Sequence, residues 1–132
     1  MSAPYGLRVF VEGTPRTAKS GSQTPGLKEW TSALRAALGG REETTAPCHA
    51  HIAFRLPRDH FQKENAQNPH GPDLDNLTEP VLDALGETIL RPAGGDGAVL
   101  RLLVTKRSVR GKERPGVVIM VKAVRTRRRA PP

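Results

Sequence analysis

Hydrophobic positions recur with two periods along this chain, and the switches between them mark its elements. Leu7, Val9 and Val11 alternate with Arg8, Phe10 and Glu12. That period of two predicts a first strand. Residues 13–22 hold too many glycine, proline, serine and threonine positions for regular structure. Thr24 is placed to cap a helix with Pro25 at its first position, Leu27, Trp30, Leu34 and Leu38 fall on one face, and Gly39-Gly40 stops it. Alternation returns at Cys48, Ala50, Ile52, Phe54 and Leu56, which predicts a second strand. Residues 58–72 offer almost nothing to bury and read as a long mobile loop.

A second helix follows, with Leu77, Val81, Ala84 and Leu85 on one face and Gly86 as its expected terminator. Proline is tolerated in the first turn of a helix, where its missing N–H has no partner to lose. Pro80 therefore predicts that helical bonding begins near Leu77 or Thr78, which leaves Asp73 and Asp75 on an entry segment and Glu79 in the first turn. Two further strands are expected at 99–107 and 117–124, joined by a basic loop at 108–116. The order is β-α-β-α-β-β. It predicts a single α/β (α+β) domain over residues 1–124, a mixed sheet with two helices, and a basic disordered tail at 125–132.

The chain of 132 residues suffices for one core. It has no apolar run near 18 residues and no charged-then-apolar leader, so a soluble cytoplasmic protein is expected. The lone cysteine, Cys48, excludes an internal disulfide and fits a reducing compartment. Its place among core positions makes it a small buried hydrophobe. A net charge of +8 makes nucleic acid the leading partner class. No basic amphipathic helix points to a membrane.

That charge is unevenly spread. Residues 73–96 carry six acids (Asp73, Asp75, Glu79, Asp83, Glu87, Asp96) against one base, Arg91, whereas residues 97–132 carry eleven bases against one acid, Glu113. Carboxylates clustered on a surface that attracts phosphates suggest a divalent cation held between the two. Asp73 and Asp75, two apart in an extended segment, can face one ion. The adjacent helix N-terminus favours their ionised form. Asp96, after Gly94-Gly95 and before the third strand, could join them at the strand edge. Magnesium takes oxygen ligands and keeps several waters, so two or three carboxylates suffice. The same Asp-x-Asp spacing also serves plain helix capping and turn formation.

The run Pro72-Asp73-Leu74-Asp75-Asn76-Leu77, then Pro80-Val81-Leu82-Asp83-Ala84-Leu85, then Asp96 with Lys106 ten residues on, resembles the RusA-type Holliday junction resolvases. The resemblance covers about residues 72–124. It implies a small α/β homodimer that cleaves four-way DNA junctions with magnesium-activated water, one strand nicked by each protomer. It implies Asp73, Asp75 and Asp96 as metal-binding catalytic acids, with Asn76 supporting them at the helix entry. Lys106 is the cation expected to meet transition-state charge. Two positions depart from the family pattern. Glu79 stands where a lysine is common, and either adds a fourth ligand or weakens catalysis. Gly95 replaces the first member of an acidic pair. The alternative from another class is a non-catalytic structural DNA- or RNA-binding protein that keeps the fold.

Arg107, Arg110, Lys112 and Arg114 read as a phosphate-contacting ridge, or else as a solvated hairpin, and Arg16 and Lys19 as a second DNA-contact loop. His49 and His51 share the polar face of the second strand, a spacing open to zinc but lacking a third ligand. His60 and His70 fall in the loop. No aromatic residue clusters with the bases, so no platform for stacking single strands is expected.

Overall fold

The computed structural model describes residues 5–17, 26–61 and 71–124. Its elements follow as β1 (Gly6–Glu12), α1 (Leu27–Leu38), β2 (Cys48–Leu56), α2 (Leu74–Glu87), β3 (Val99–Ser108) and β4 (Gly116–Ala123). The strands form one mixed sheet in the spatial order β1-β4-β2-β3. β4 runs antiparallel to β1 and β2, whereas β2 and β3 are parallel. Parallel neighbours need a crossover, and α2 supplies it, returning the chain from the end of β2 to the start of β3. The connection at 108–116 is consequently not a hairpin, because β2 lies between β3 and β4. Val117, Val118 and Ile119 are all buried, so β4 is shielded on both faces at its start, whereas Met120 and Lys122 further along are half-buried and exposed.

One face of the sheet packs on the helices. Trp30, Leu34 and Leu38 of α1 and Leu77, Val81, Ala84 and Leu85 of α2 meet Val9, Val11, Ile52, Phe54, Leu56 and Ile119 in a single core. Cys48 is fully buried there, and burial pushes its thiol pKa up. On the outside the helices are tied by Arg35, whose guanidinium donates twice to Glu87 at 2.7 and 3.2 Å.

The helix ends differ from expectation. Gly26, in the left-handed conformation at φ 81°, precedes α1, and Thr24 and Pro25 lie outside the described residues. α2 begins at Leu74, so Asp75 belongs to its first turn and Glu79 to its second. Leu77 N–H is indeed an early donor, bonding the Asp73 carbonyl at 3.0 Å, but the turn it closes starts three residues before it. Pro80 is the seventh helical residue and is tolerated inside the helix. It costs the Asn76 carbonyl its usual donor, while its buried ring fills the core side. Gly86 does not stop the helix, which runs on to Glu87. The predicted loop at 58–72 opens with a 3-10 turn, Arg58–Phe61. Within it His60 is half-buried, and burial lowers its pKa. Residues 62–70, with His70, and the tail at 125–132 lie outside the described residues.

Candidate active site

Asp73 occupies the N-cap position of α2 in extended backbone, yet its carboxylate caps no N–H. Simple capping therefore does not account for it. Asp75 follows one residue into the helix, and both are exposed. The backbone before them is pinned by Lys106 on β3, whose ammonium donates to the Pro72 carbonyl at 2.6 Å. Lys106 thus stands at the α2 N-terminus, reached from the C-terminal end of β3. Asn76 is partly buried in the first turn.

Asp96 sits at the other end. It begins a short 3-10 turn, Asp96–Ala98, just before β3. Gly86 lets this turn approach α2 closely, since a Cβ there would lie 3.1 Å from the Asp96 backbone nitrogen. From Asp75 to Gly86 the helix advances about 16 Å at ~1.5 Å per residue. Magnesium–oxygen bonds are ~2.1 Å, so the backbone positions at the two ends of this helix are far apart on the scale of one ion's coordination shell. Among the described residues no group of three or more His, Cys, Asp or Glu side chains is placed to hold a metal ion. The structure sets Asp73, Asp75 and Lys106 at the N-terminal end of α2, and Asp96 in the turn that approaches Gly86 near its other end. Sequence held a signal for this separation: a helical crossover between parallel strands must carry residues at its two ends to opposite ends of the sheet.

Between these ends runs a groove of about 310 Å³ lined by Asp75, Glu79, Asp83, Asp96, Leu102 and Val104. Asp83 was not singled out as a site residue, although it lies one turn beyond Glu79 on the same helix face. The groove opens at the free edge of β3, where Leu100 and Leu102 are 61% and 41% exposed.

The basic residues divide into engaged and free. Arg107 donates to both carboxylate oxygens of Glu113 at 2.6 and 2.7 Å, and Glu113 also accepts the Arg110 N–H at 2.8 Å. These bonds hold the Glu113 pKa down to about 2. Arg107 therefore braces the 108–116 connection before it meets any ligand. Arg114 pairs with Glu12 at 2.9 Å across the exposed surface. Arg110 and Lys112 are exposed at the tip of that connection. Arg16 packs against Gly26, where a Cβ would fall 2.7 Å from its Nε. Lys19 lies outside the described residues. Sequence reading also missed a stack: the Arg55 guanidinium carbon sits 5.2 Å from the Phe10 ring centroid, so one aromatic does meet a base. Cross-strand register, which periodicity does not reveal, made that pair.

No helix among the described residues is long and apolar enough to cross a membrane. The family model described as Endodeoxyribonuclease RusA matches residues 12–122. No curated protein matches the chain.

Proposed function

The chain belongs to the RusA family of endodeoxyribonucleases, whose general activity is Holliday junction resolution, and on that premise we propose that it cuts four-way DNA junctions as a magnesium-dependent homodimer. The observation that carries the reading is the family match across residues 12–122. The free carboxylates at the α2 N-terminus support its chemical side.

Asp73 and Asp75 offer hard oxygen donors uncommitted to capping, which fits magnesium. Asp96 completes the set from a second copy. β3 is an edge strand, with one row of backbone N–H and C=O groups unpaired in the sheet and leucines beside it. Antiparallel pairing of two such edges about a twofold axis sets the start of one β3 against the end of the other. Asp96 of one copy then approaches Asp73, Asp75 and Lys106 of its partner, twice over, which suits a substrate with two symmetry-related strands to cut.

When bound, magnesium supplies Lewis-acid stabilisation of charge on the phosphodiester. The chain's own groups do the rest. Lys106 fixes the backbone entering Asp73 and brings positive charge to the same end of α2. Glu79, one turn after Asp75, adds negative charge where the family commonly has a cation. Arg110 and Lys112, exposed at the 108–116 tip, serve phosphate contact, and Arg16 and Lys19 extend it from the segment after β1. A cytoplasmic setting follows from the DNA substrate.

The test is a synthetic four-way junction and a linear duplex of equal length, each with and without Mg²⁺. Cutting of the junction alone, only with metal, is expected. Replacing Asp73, Asp75 or Asp96 with asparagine should abolish cutting and leave junction binding intact. Binding with no metal-dependent cutting by the unaltered protein would replace this reading with the non-catalytic one.

A further inference from the structure

The face of the sheet turned away from the helices carries a second set of cations. Register aligns its side chains in straight rows across all four strands. One row runs Arg8, Met120, His51, Leu103, and the next runs Gly6, Lys122, His49, Arg101. Together they line a concavity of about 640 Å³. Its floor is apolar, with Leu103 55% exposed. Arg8, Arg101 and Lys122 stand exposed around it. None of the three has an ion-pair partner among the described residues.

We propose that this open sheet face binds unpaired DNA, with phosphates on Arg8, Arg101 and Lys122 and bases on the Met120, Leu103, His49 and His51 floor. Charge selects a polyanion. A second copy docked on this face would gather two sets of these three cations in one desolvated contact, and the basic tail at 125–132 carries the same sign. Shape then selects single strands over duplex. Four strands at ~4.8 Å spacing span about 14 Å, wider than the ~12 Å major groove that a two-stranded ribbon can enter. Duplex DNA therefore meets the rim and leaves the apolar floor uncovered. An unpaired strand supplies both halves of the match, since its bases are free to lie on imidazole and apolar side chains while its phosphates track the cations. A branch point undergoing cleavage is a place where such nucleotides arise. The inference goes beyond cleavage and needs neither metal nor the aspartates.

Fluorescence anisotropy in EDTA, with a labelled oligo-dT of about 12 nucleotides and a duplex of equal length, tests it on the full chain. Two variants are compared, the triple Arg8→Ala/Arg101→Ala/Lys122→Ala and the single Leu103→Asp. These residues are exposed, so both variants should fold, as circular dichroism will verify. The triple variant should weaken oligo-dT binding at least ~30-fold and duplex binding by no more than about threefold, because duplex attraction is left to the basic connection and tail. Leu103→Asp should weaken oligo-dT binding about tenfold with the same selectivity. Equal weakening for both probes, or unchanged oligo-dT binding, overturns the proposal. So does conversion of the protein to a monomer in sedimentation by Arg8→Ala/Lys122→Ala, whose residues lie off the proposed β3 seam, which would make this face the contact between copies. Because metal is absent throughout, failure here is distinct from failure of the cleavage reading.

Discussion

Two inactive proteins should make an active one. Asp75 and Gly86, the residue that the Asp96 backbone approaches, lie about 16 Å apart along the axis of α2 at ~1.5 Å per residue. Two ligands of one magnesium must put their oxygens within about 4 Å of each other, given ~2.1 Å bonds. In the proposed homodimer each site would therefore draw Asp96 from the partner. Asp75→Asn and Asp96→Asn homodimers each lose both sites. A mixed dimer of the two gathers both lesions into one site and leaves the other whole. Co-expression with two different tags and sequential purification isolates that mixed dimer. On a labelled four-way junction it should nick at about half the wild-type rate, one site of two being intact. Its products should be nicked junctions, with little resolved duplex. If both acids instead served one site within a protomer, every site in the mixed dimer would carry one lesion. Nicking no faster than that of the two homodimers would refute the shared site.

Other consequences concern single residues. Gly86→Ala should change stability little, because a helix-interior gain of ~0.5–1 kcal/mol over glycine is offset by the 3.1 Å approach to the Asp96 nitrogen. Junction cutting should fall severalfold as the Asp96 turn is displaced, and cutting unchanged at wild-type melting temperature would count against Asp96. Lys106→Met removes the bond to the Pro72 carbonyl and should cost at most about 1.5–3 kcal/mol in urea unfolding, the range for hydrogen bonds to charged groups. The carboxyl of Glu113 should titrate near 2 by NMR. Its pKa is depressed on folding, so its contribution is complete above the ordinary carboxylate range and is lost as pH falls towards 2. A midpoint in the ordinary range would mean that the Arg107 clamp is open in solution. Glu79→Lys should speed junction cutting at unchanged Mg²⁺ dependence, whereas slower cutting with weaker metal binding would make the glutamate a ligand.

Alternation placed β1 and β2, where Val9 and Val11, and Cys48, Ala50, Ile52, Phe54 and Leu56, are buried at every second position. What periodicity cannot carry is the order of strands. Nothing local told Val117–Val121 to enter between β1 and β2. The run of successive apolar residues Val117-Val118-Ile119, all buried, was the one local sign of an interior strand. Pro80 misled because propensity treats proline as a boundary, whereas here its ring is buried within the helix. The acids were visible as residues, and their spacing matched the family motif. Their distribution over two ends of one helix was hidden until the β2–α2–β3 crossover fixed its direction. The charge run that makes Arg107 a candidate DNA contact does not disclose that Glu113 also holds its guanidinium.

β4, the last strand among the described residues, is an interior strand of the sheet. β1 and β2 have no edge in common; each hydrogen-bonds to β4. A nascent chain that has delivered β1 through β3 therefore holds only the β2–β3 pair, and the strand that joins β1 to it is still to come. Assembly must wait for β4 to insert between partners far back in the sequence, a long-range closure of the kind that slows folding. Until then β1 and β2 expose strand edges to other chains. Synthesis rate and chaperone supply should accordingly govern the yield of this protein more than its final stability does, and truncations that clip β4 should yield aggregates in place of a smaller folded domain.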